Sequence, residues 1–185
     1  MFCHLNYKIN KKLHRDYYFE NCHKAVNHTV KKDGKVLHEH EHWQLLFNIE
    51  KLTDPIIKDL GLEGMNIWPR YSYIQPNHKL HSHIDVDRIV GINFNLMDDR
   101  QPSLNMPGQK IYYEACLADV GSVMHSVEMS KDYRLVLKLA IREPWQDVLN
   151  AVEKSGYIDH EATCAVVPNY KTYISKESAF YDFVG

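Results

Sequence analysis

The amino-acid sequence predicts a mainly β protein, built as an antiparallel sandwich or barrel with a few flanking helices. From Asn66 onward, apolar and polar residues alternate with the period of two that is typical of strands. The strand-like segments are short and regularly spaced, which favours a sandwich or barrel. The predicted strands are residues 67–75, 79–85, 89–96, 110–114, 122–125 and 133–142. The turn-forming stretches among them are Pro76-Asn77, Met97-Asp98-Asp99 and Pro107-Gly108.

The N-terminal part of the chain predicts a helix followed by a hairpin. Apolar and aromatic residues recur at helical spacing over residues 13–30. An Asp33-Gly34 pair follows, and this is a strong signal for a tight hairpin turn. We therefore expect residues 27–31 and 36–47 to pair as antiparallel strands.

Two shorter helices are predicted farther along. Thr53-Asp54-Pro55 predicts a helix start with proline in the first turn, and Gly61 or Gly64 predicts its end. After Pro144, residues 145–154 have the pattern of a second short helix. The pattern of residues 155–185 assigns no element.

Length and charge limit the class of protein. The 185 residues fit one domain, which we expect to have its core at 64–144, flanked by 1–63 and 145–185. Lysine and arginine number 22 against 24 acidic residues, so the net charge of −2 disfavours a nucleic-acid binder. Signal-peptide and membrane-spanning patterns are absent, and the four cysteines are widely spaced. These features predict a cytoplasmic protein with free thiols.

A set of metal ligands is the main functional prediction. The chain has 12 histidines, and histidine is the commonest metal ligand. His83 and Asp85 are two residues apart on a predicted strand and therefore share a face. His125, at the end of a later strand, completes two imidazoles and one carboxylate, the set that holds Fe(II) with open positions. An isolated H-x-D is most often surface chemistry, so the prediction depends on the combination.

Arg134 extends this constellation. It lies nine residues after His125 and begins an apolar strand. An unpaired buried charge is costly, so a guanidinium at this position needs an anionic partner. A dicarboxylate cosubstrate would supply one through a bidentate pair.

The order H-x-D, then His, then Arg on predicted strands resembles the Fe(II)- and 2-oxoglutarate-dependent oxygenases. Their fold is a double-stranded β-helix, a jelly-roll or cupin-like barrel. Within that superfamily the chain is most similar to the aspartyl/asparaginyl β-hydroxylase-like branch, over residues 67–144. The matching features are Ser72 eleven residues before His83, a turn at Pro76-Asn77 between them, Gly121 ahead of His125, and Arg134.

The resemblance implies roles for individual residues. Fe(II) would be held by His83, Asp85 and His125. Arg134 would pair with the distal carboxylate of 2-oxoglutarate, with Ser72 beside it and Asn93 near the cosubstrate's other end. The implied reaction uses O₂, converts 2-oxoglutarate to succinate and CO₂, and hydroxylates a C–H bond, with ascorbate as reductant.

The chain departs from the branch at three points. Gly91 stands where the branch has an arginine, and Arg88 is a candidate replacement for that anion contact. The turn is Pro-Asn where the branch has Pro-Gly, and the spacing from His125 to Arg134 is one residue shorter. The first departure puts the substrate class in doubt more than the cofactor.

Several other residues have open interpretations. Arg88 binds a substrate carboxylate or forms an exposed salt bridge. His81 shares a face with His83 and is expected beside the metal ligands or facing the substrate. The run His38-Glu39-His40-Glu41-His42 places three imidazoles on one face, where they hold Zn²⁺ or simply face solvent.

These observations predict a dioxygenase that hydroxylates a small polar substrate, a free amino acid or related small acid. One alternative is the same chemistry on a peptide or protein side chain. Another is a cupin-like metal-binding module without oxygenase activity, which has no need of Arg134. No membrane partner is expected, a nucleic-acid partner is disfavoured, and the choice between monomer and homodimer stays open.

Overall fold

The computed structural model describes residues 1–32, 35–86, 88–98 and 103–166, and over them the chain is mainly antiparallel β structure, as predicted. The strands are β1 (Phe2–Leu5), β2 (Val26–Lys32), β3 (Lys35–Leu46), β4 (Ile67–Ile74), β5 (Leu80–His83), β6 (Val90–Asn95), β7 (Ser103–Met106), β8 (Gln109–Tyr112), β9 (Ala115–Asp119), β10 (His125–Val127), β11 (Arg134–Ile141) and β12 (Ile158–Asp159). The helices are α1 (Lys11–Asn21), α2 (Glu50–Asp59), α3 (Trp145–Lys154) and α4 (His160–Val166), with a 3₁₀ turn at Cys22–Lys24. The predicted Asp33-Gly34 turn, Asp99 and residues 167–185 lie outside the described residues.

The strands form two sheets. The larger sheet has the order β12-β1-β9-β6-β11-β4-β3-β2, and the smaller has the order β5-β10-β7-β8. Across the described residues the two sheets do not close into one barrel, which corrects that part of the prediction. A jelly roll is made of two facing sheets that keep their own edges, and the chain crosses between them in loops.

The outer face of the larger sheet carries the main hydrophobic core. Strand β11 contributes Leu135, Leu137, Leu139 and Ile141, all fully buried. They cluster with side chains from helices, including Val148, Leu149 and Val152 of α3 and Ile56 of α2. Alternate residues of a strand face opposite sides, so these contacts direct the intervening residues of β11 to the inner face.

The inner face is polar at several positions. Arg134 and Lys138 lie on it, and both line an internal cavity. The register pairs Lys138 with Arg70 of β4 on one side and with Asn93 of β6 on the other. The large sheet therefore separates the apolar layer under the helices from an inner layer in which polar residues lie among two smaller apolar clusters.

The first predicted helix was too long. Helix α1 is capped by Asn10, whose side chain accepts a hydrogen bond from the Leu13 amide, and ends at Asn21. The second half of the predicted segment is strand β2, which contains the β-branched residues Val26 and Thr29. The hairpin itself is confirmed, because β2 pairs with β3.

The start of helix α2 differs from the prediction, whereas its end and helix α3 match. Helix α2 begins at Glu50, so Pro55 lies in its second turn and not in the first. Its end is confirmed at Gly61, which has a φ of +70°. Helix α3 matches the predicted residues 145–154. No helix in the described part of the chain is long and apolar enough to cross a membrane.

Candidate metal centre

The structure brings His83, Asp85 and His125 together. His83 ends β5, His125 begins β10, and the two residues are direct partners in the smaller sheet. Their rings lie 4.4 Å apart between centroids. The Nε2 atom of His83 is 3.5 Å from Oδ1 of Asp85, and the Nε2 atom of His125 is 3.7 Å from Oδ2. One ligand atom from each side chain falls within 4.8 Å of the others.

Backbone carbonyls orient both imidazoles. Nδ1 of His83 lies 2.6 Å from the carbonyl oxygen of His81, and Nδ1 of His125 lies 3.1 Å from that of Val123. A carbonyl oxygen can only accept, so each Nδ1 carries the proton. Each Nε2 therefore keeps a free lone pair directed towards Asp85, which is the tautomer that a metal ligand needs.

The electrostatics of the centre also suit metal binding. Burial alone would raise the pKa of the Asp85 carboxyl, but His83, Arg88 and Lys138 hold it well below its usual range. Burial lowers the pKa of His125 to about 4, and Asp85 only partly offsets this. The pKa of His83 is raised, because a proton added at Nε2 would be donated to the Asp85 carboxylate, which outweighs the effect of burial. At neutral pH the carboxylate is ionised and His125 is neutral, as ligation requires.

Arg88 is a buried partner of Asp85. Its Nε and Nη2 atoms both lie 2.6 Å from Oδ2, and its side chain is almost fully covered. The third nitrogen, Nη1, is buried and lacks a hydrogen-bond partner within the described residues. Gly91 lies beside this guanidinium, and a Cβ there would be in ordinary contact with Nη1, at 3.4 Å. Arg88 thus fixes one oxygen of the carboxylate and presents one free nitrogen.

Arg134 lines the same small cavity as His83 and His125. Its Nη1 donates to the carbonyl oxygen of Ser103 at 3.1 Å, and its Nη2 donates to the hydroxyl of Tyr113 at 2.6 Å. Both acceptors are neutral, so among the described residues no carboxylate balances the charge of Arg134.

A second and larger cavity meets the first at Arg134. It has a volume of about 550 Å³ and contains none of the three metal-ligand candidates. The loop from Val127 to Arg134 forms much of its wall, together with Ile74 and Tyr112. The cavity at the candidate ligands is only about 10 Å³. The chemistry of the donor set, and not the size of the space, locates the site.

The remaining predicted residues lie at different distances from this centre. Asn93 is buried and lines the small cavity, with its Oδ1 atom unpartnered among the described residues. Ser72 is buried, and its hydroxyl accepts a hydrogen bond from Nε1 of Trp43 at 2.8 Å. His81 is exposed and reaches the centre through its carbonyl oxygen.

The histidine-rich strand does not assemble a second ligand set. The rings of His38 and His40 are 4.3 Å apart and those of His40 and His42 are 6.0 Å apart. In the described part of the chain, only His83, Asp85 and His125 bring three ligand atoms together. A bulge in the hairpin instead places His28 flat against Trp43, at 3.8 Å between centroids.

Sequence reasoning missed Lys138. It is buried, it lines the small cavity beside His83 and His125, and its ammonium lies 5.6 Å from the centre of the Trp43 ring. A signal was present in the sequence. Lys138 interrupts the apolar strand after Arg134 at an even spacing of four residues, so both cations share one face.

The donor set fits Fe(II), and the cavity fits an acid. Two neutral imidazole nitrogens and one carboxylate oxygen form the 2-His-1-carboxylate set of non-haem iron oxygenases. The guanidinium of Arg134, which has no carboxylate partner among the described residues, would balance negative charge of 2-oxoglutarate.

Comparison with known proteins gives the fold but not the family. No protein-family model matches the chain, and no curated protein matches it in sequence. A prolyl hydroxylase from Trichoplax adhaerens, solved with a peptide fragment of the hypoxia inducible factor oxygen degradation domain, is 11% identical with a TM-score of 0.53. That match covers 84% of this chain and 86% of the other. At this identity it shows a shared fold, that of a prolyl hydroxylase.

Two further solved structures have lower scores. A prolyl-4-hydroxylase from Pseudomonas putida is 15% identical with a TM-score of 0.48, over 72% of this chain and 85% of the other. A viral collagen prolyl hydroxylase from Paramecium Bursaria Chlorella virus-1, solved with 2-oxoglutarate, is 12% identical with a TM-score of 0.41, over 56% and 81%. The aspartyl/asparaginyl β-hydroxylase-like branch is not confirmed by these matches.

Proposed function

We propose that this protein is an Fe(II)- and 2-oxoglutarate-dependent dioxygenase that hydroxylates a small polar substrate, a free amino acid or related small acid. The observation that carries the proposal is the convergence of His83, Asp85 and His125 beside a cavity that Arg134 also lines. A metal-binding module would have no use for a cation in that cavity. An oxygenase uses it to hold a dicarboxylate.

The protein's part in the reaction begins with the metal ligands. His83 and His125 offer their Nε2 atoms and Asp85 offers Oδ1, while Arg88 holds Oδ2 and keeps the carboxylate ionised. Bound Fe(II) and 2-oxoglutarate supply the oxidising chemistry, in which O₂ is reduced, the keto acid becomes succinate and CO₂, and a C–H bond is hydroxylated.

Arg134 binds the distal carboxylate of 2-oxoglutarate. The Tyr113 hydroxyl holds the guanidinium in place, and burial raises the pKa of Tyr113 to about 12, so the phenol stays neutral beside it. The Ser72 hydroxyl, which accepts from Trp43, keeps its own proton to donate. Asn93 lies on β6, beside β11, and its Oδ1 atom, unpartnered among the described residues, is an acceptor that suits a donor group of the substrate better than an oxygen of the keto acid.

The apolar part of the cavity excludes water from the reaction. Its wall includes Trp43 and several aliphatic side chains, so charge pairing inside it is strong. Arg88 and His81 are the candidate contacts for substrate. Arg88 offers its free Nη1 at the buried side, and His81 lies at the exposed rim.

A peptide or protein substrate is the second candidate. The β2–β3 hairpin is linked to the centre through His28 and Trp43, whose rings stack. Farther along that hairpin, Val36 and Leu37 are 56% and 63% exposed. An extended peptide laid along the hairpin would cover these apolar side chains.

Turnover of 2-oxoglutarate tests the proposed function. We expect purified protein to form succinate when Fe(II), ascorbate and a suitable amino acid are present. Succinate formation should disappear in His125→Ala and in Arg134→Ala. Robust Zn²⁺ binding without any binding of 2-oxoglutarate would contradict the proposal and favour the metal-binding module.

A further inference from the structure

Lys138 is a buried cation that the proposed roles leave unused. It is 9% exposed, and its side chain lines the cavity with His83 and His125. Within the described residues it forms no ion pair, and Arg88 binds the Asp85 carboxylate nearby. Burying an ammonium group without an anionic partner costs free energy, so we expect this lysine to have a function.

The surroundings of Lys138 are strongly cationic. Burial lowers the pKa of the Lys138 amine well below its ordinary value, the charges of Arg88, Arg134 and Arg70 act in the same direction, and Asp85 opposes them. A substrate or cosubstrate carboxylate entering the cavity would be attracted by this field.

Two further polar atoms face the same space without a partner among the described residues. They are Nη1 of Arg88 and Oδ1 of Asn93, and both residues are more than nine-tenths buried. Buried polar atoms are rarely left unpaired unless a ligand or water satisfies them. Together with Lys138 they place two basic side chains and one acceptor in the wall of the small cavity.

We propose that Lys138, Arg88 and Asn93 form a carboxylate subsite that binds the acid group of the substrate, next to the metal centre. The inference deepens the proposed function and rests on it. Two donors suit a carboxylate, and the Asn93 oxygen suits a neighbouring ammonium or hydroxyl group. The substrate class is therefore an α-amino acid or 2-hydroxy acid with a free carboxylate.

This subsite is separate from the one at Arg134. Lys138 lies four positions after Arg134 on strand β11, a distance of roughly 13 Å along the strand. Arg134 also has its own hydrogen-bond partners, Ser103 and Tyr113. One cation thus serves the distal end of the cosubstrate, and the other serves the substrate.

The first test uses metal-free protein and formate, so it is independent of the oxygenase chemistry. In the Arg134→Met background, sodium formate should raise the melting temperature by several degrees over sodium chloride of equal ionic strength. Adding Lys138→Met should remove that rise, whereas adding the change Lys131→Met, at an exposed lysine, should leave it intact. A formate response that survives Lys138→Met, or that Arg134→Met protein lacks altogether, would overturn the subsite.

The second test identifies the ligand. The protein is loaded with Mn(II) and 2-oxoglutarate and is titrated with the twenty amino acids and their carboxamides. The titration measures binding and needs no turnover. We expect at least one acid to bind about 10-fold tighter than its amide, since a buried charge pair is lost in the amide. Lys138→Met should abolish that preference, and Lys138→Arg should restore most of it.

The outcomes separate the two proposals. If Lys138→Met weakens the binding of 2-oxoglutarate and leaves the preference for acid over amide unchanged, the subsite serves the cosubstrate. The assignment to the substrate is then wrong. If the protein binds neither Fe(II) nor 2-oxoglutarate but keeps the formate response through Lys138, the proposed function fails while the anion subsite stands.

Discussion

The two faces of strand β11 have different roles in the molecule. Leu135, Leu137 and Leu139 point to the helices and are fully buried in the main core. Arg134 and Lys138, one residue out of phase, point to the cavity beside the candidate metal ligands. One strand thus supplies stability on one face and charge on the other. The well-packed face holds in place a polar face that would be costly on its own.

The largest expected effect belongs to the apolar face. Leu137→Ala should lower the free energy of unfolding by about 2–5 kcal/mol, because it leaves a cavity in a fully buried site. Chemical denaturation measures this directly. The matched control is Leu37→Ala, at an exposed leucine, which should change stability by less than about 0.5 kcal/mol. Equal losses at the two positions would contradict the assigned core.

The next effect belongs to the polar face. His125→Gln should weaken Fe(II) binding on the order of 100-fold or more, because partners outside the ligand set already cost 10–100-fold when lost. Anaerobic calorimetry with metal-free protein gives the affinity. His81→Gln changes an exposed neighbour that offers only its backbone, so it should leave the metal affinity intact. Similar losses in both variants would argue against the ligand set.

Arg88 allows a ligand candidate to be compared with a residue that only contacts one. Arg88→Met removes the two contacts that fix Oδ2 of Asp85, so metal affinity should fall by about 10-fold, less than for a ligand. The same calorimetric titration applies. An unchanged affinity would mean that Asp85 does not need this partner to hold the ion.

The smallest expected effect is on the pH dependence of stability, through His14. His14 is buried, and its Nδ1 lies 2.7 Å from the hydroxyl of Tyr71. Burial lowers the pKa of His14, so as pH falls below about 6.5 the unfolded chain takes up the proton first and stability drops. The contribution is at most about 1.4 kcal/mol per pH unit.

Melting temperatures between pH 7 and pH 5 check this expectation. His14→Gln should flatten the fall in stability relative to the unsubstituted protein. His23→Gln, at an exposed histidine, should leave the slope as it is. A slope that His14→Gln leaves untouched would show that the pH sensitivity comes from other groups.

Sequence reasoning predicted the grouping of His83, Asp85 and His125 better than the elements around them. Strand β5 ends at His83, so Asp85 lies beyond the strand that was predicted to carry it, and the fold places His125 opposite His83. Asp85 and Arg88 both lie outside the described strands, so strand periodicity does not predict their ion pair. Lys138 was missed because one lysine in an apolar run is a weak signal.

The missed strands share a physical cause. Strand β1 pairs with β9 and β12, which lie more than a hundred residues away in the sequence. A local sequence pattern does not predict partners at this separation. Strand β9 is an apolar stretch buried on both faces, so it lacks the alternation that marked its neighbours. The helix predicted over residues 13–30 failed at Val26, where pairing with β3 overrides a weak helical pattern.

The most direct test of the central claim is an anaerobic titration of 2-oxoglutarate with and without Fe(II). We predict one molecule bound per chain, at least about 10-fold tighter when the metal is present, and a clear loss of affinity in Arg134→Met, because the cavity must satisfy both ends of the diacid. Binding that ignores Fe(II), or that Arg134→Met leaves unchanged, would contradict the account.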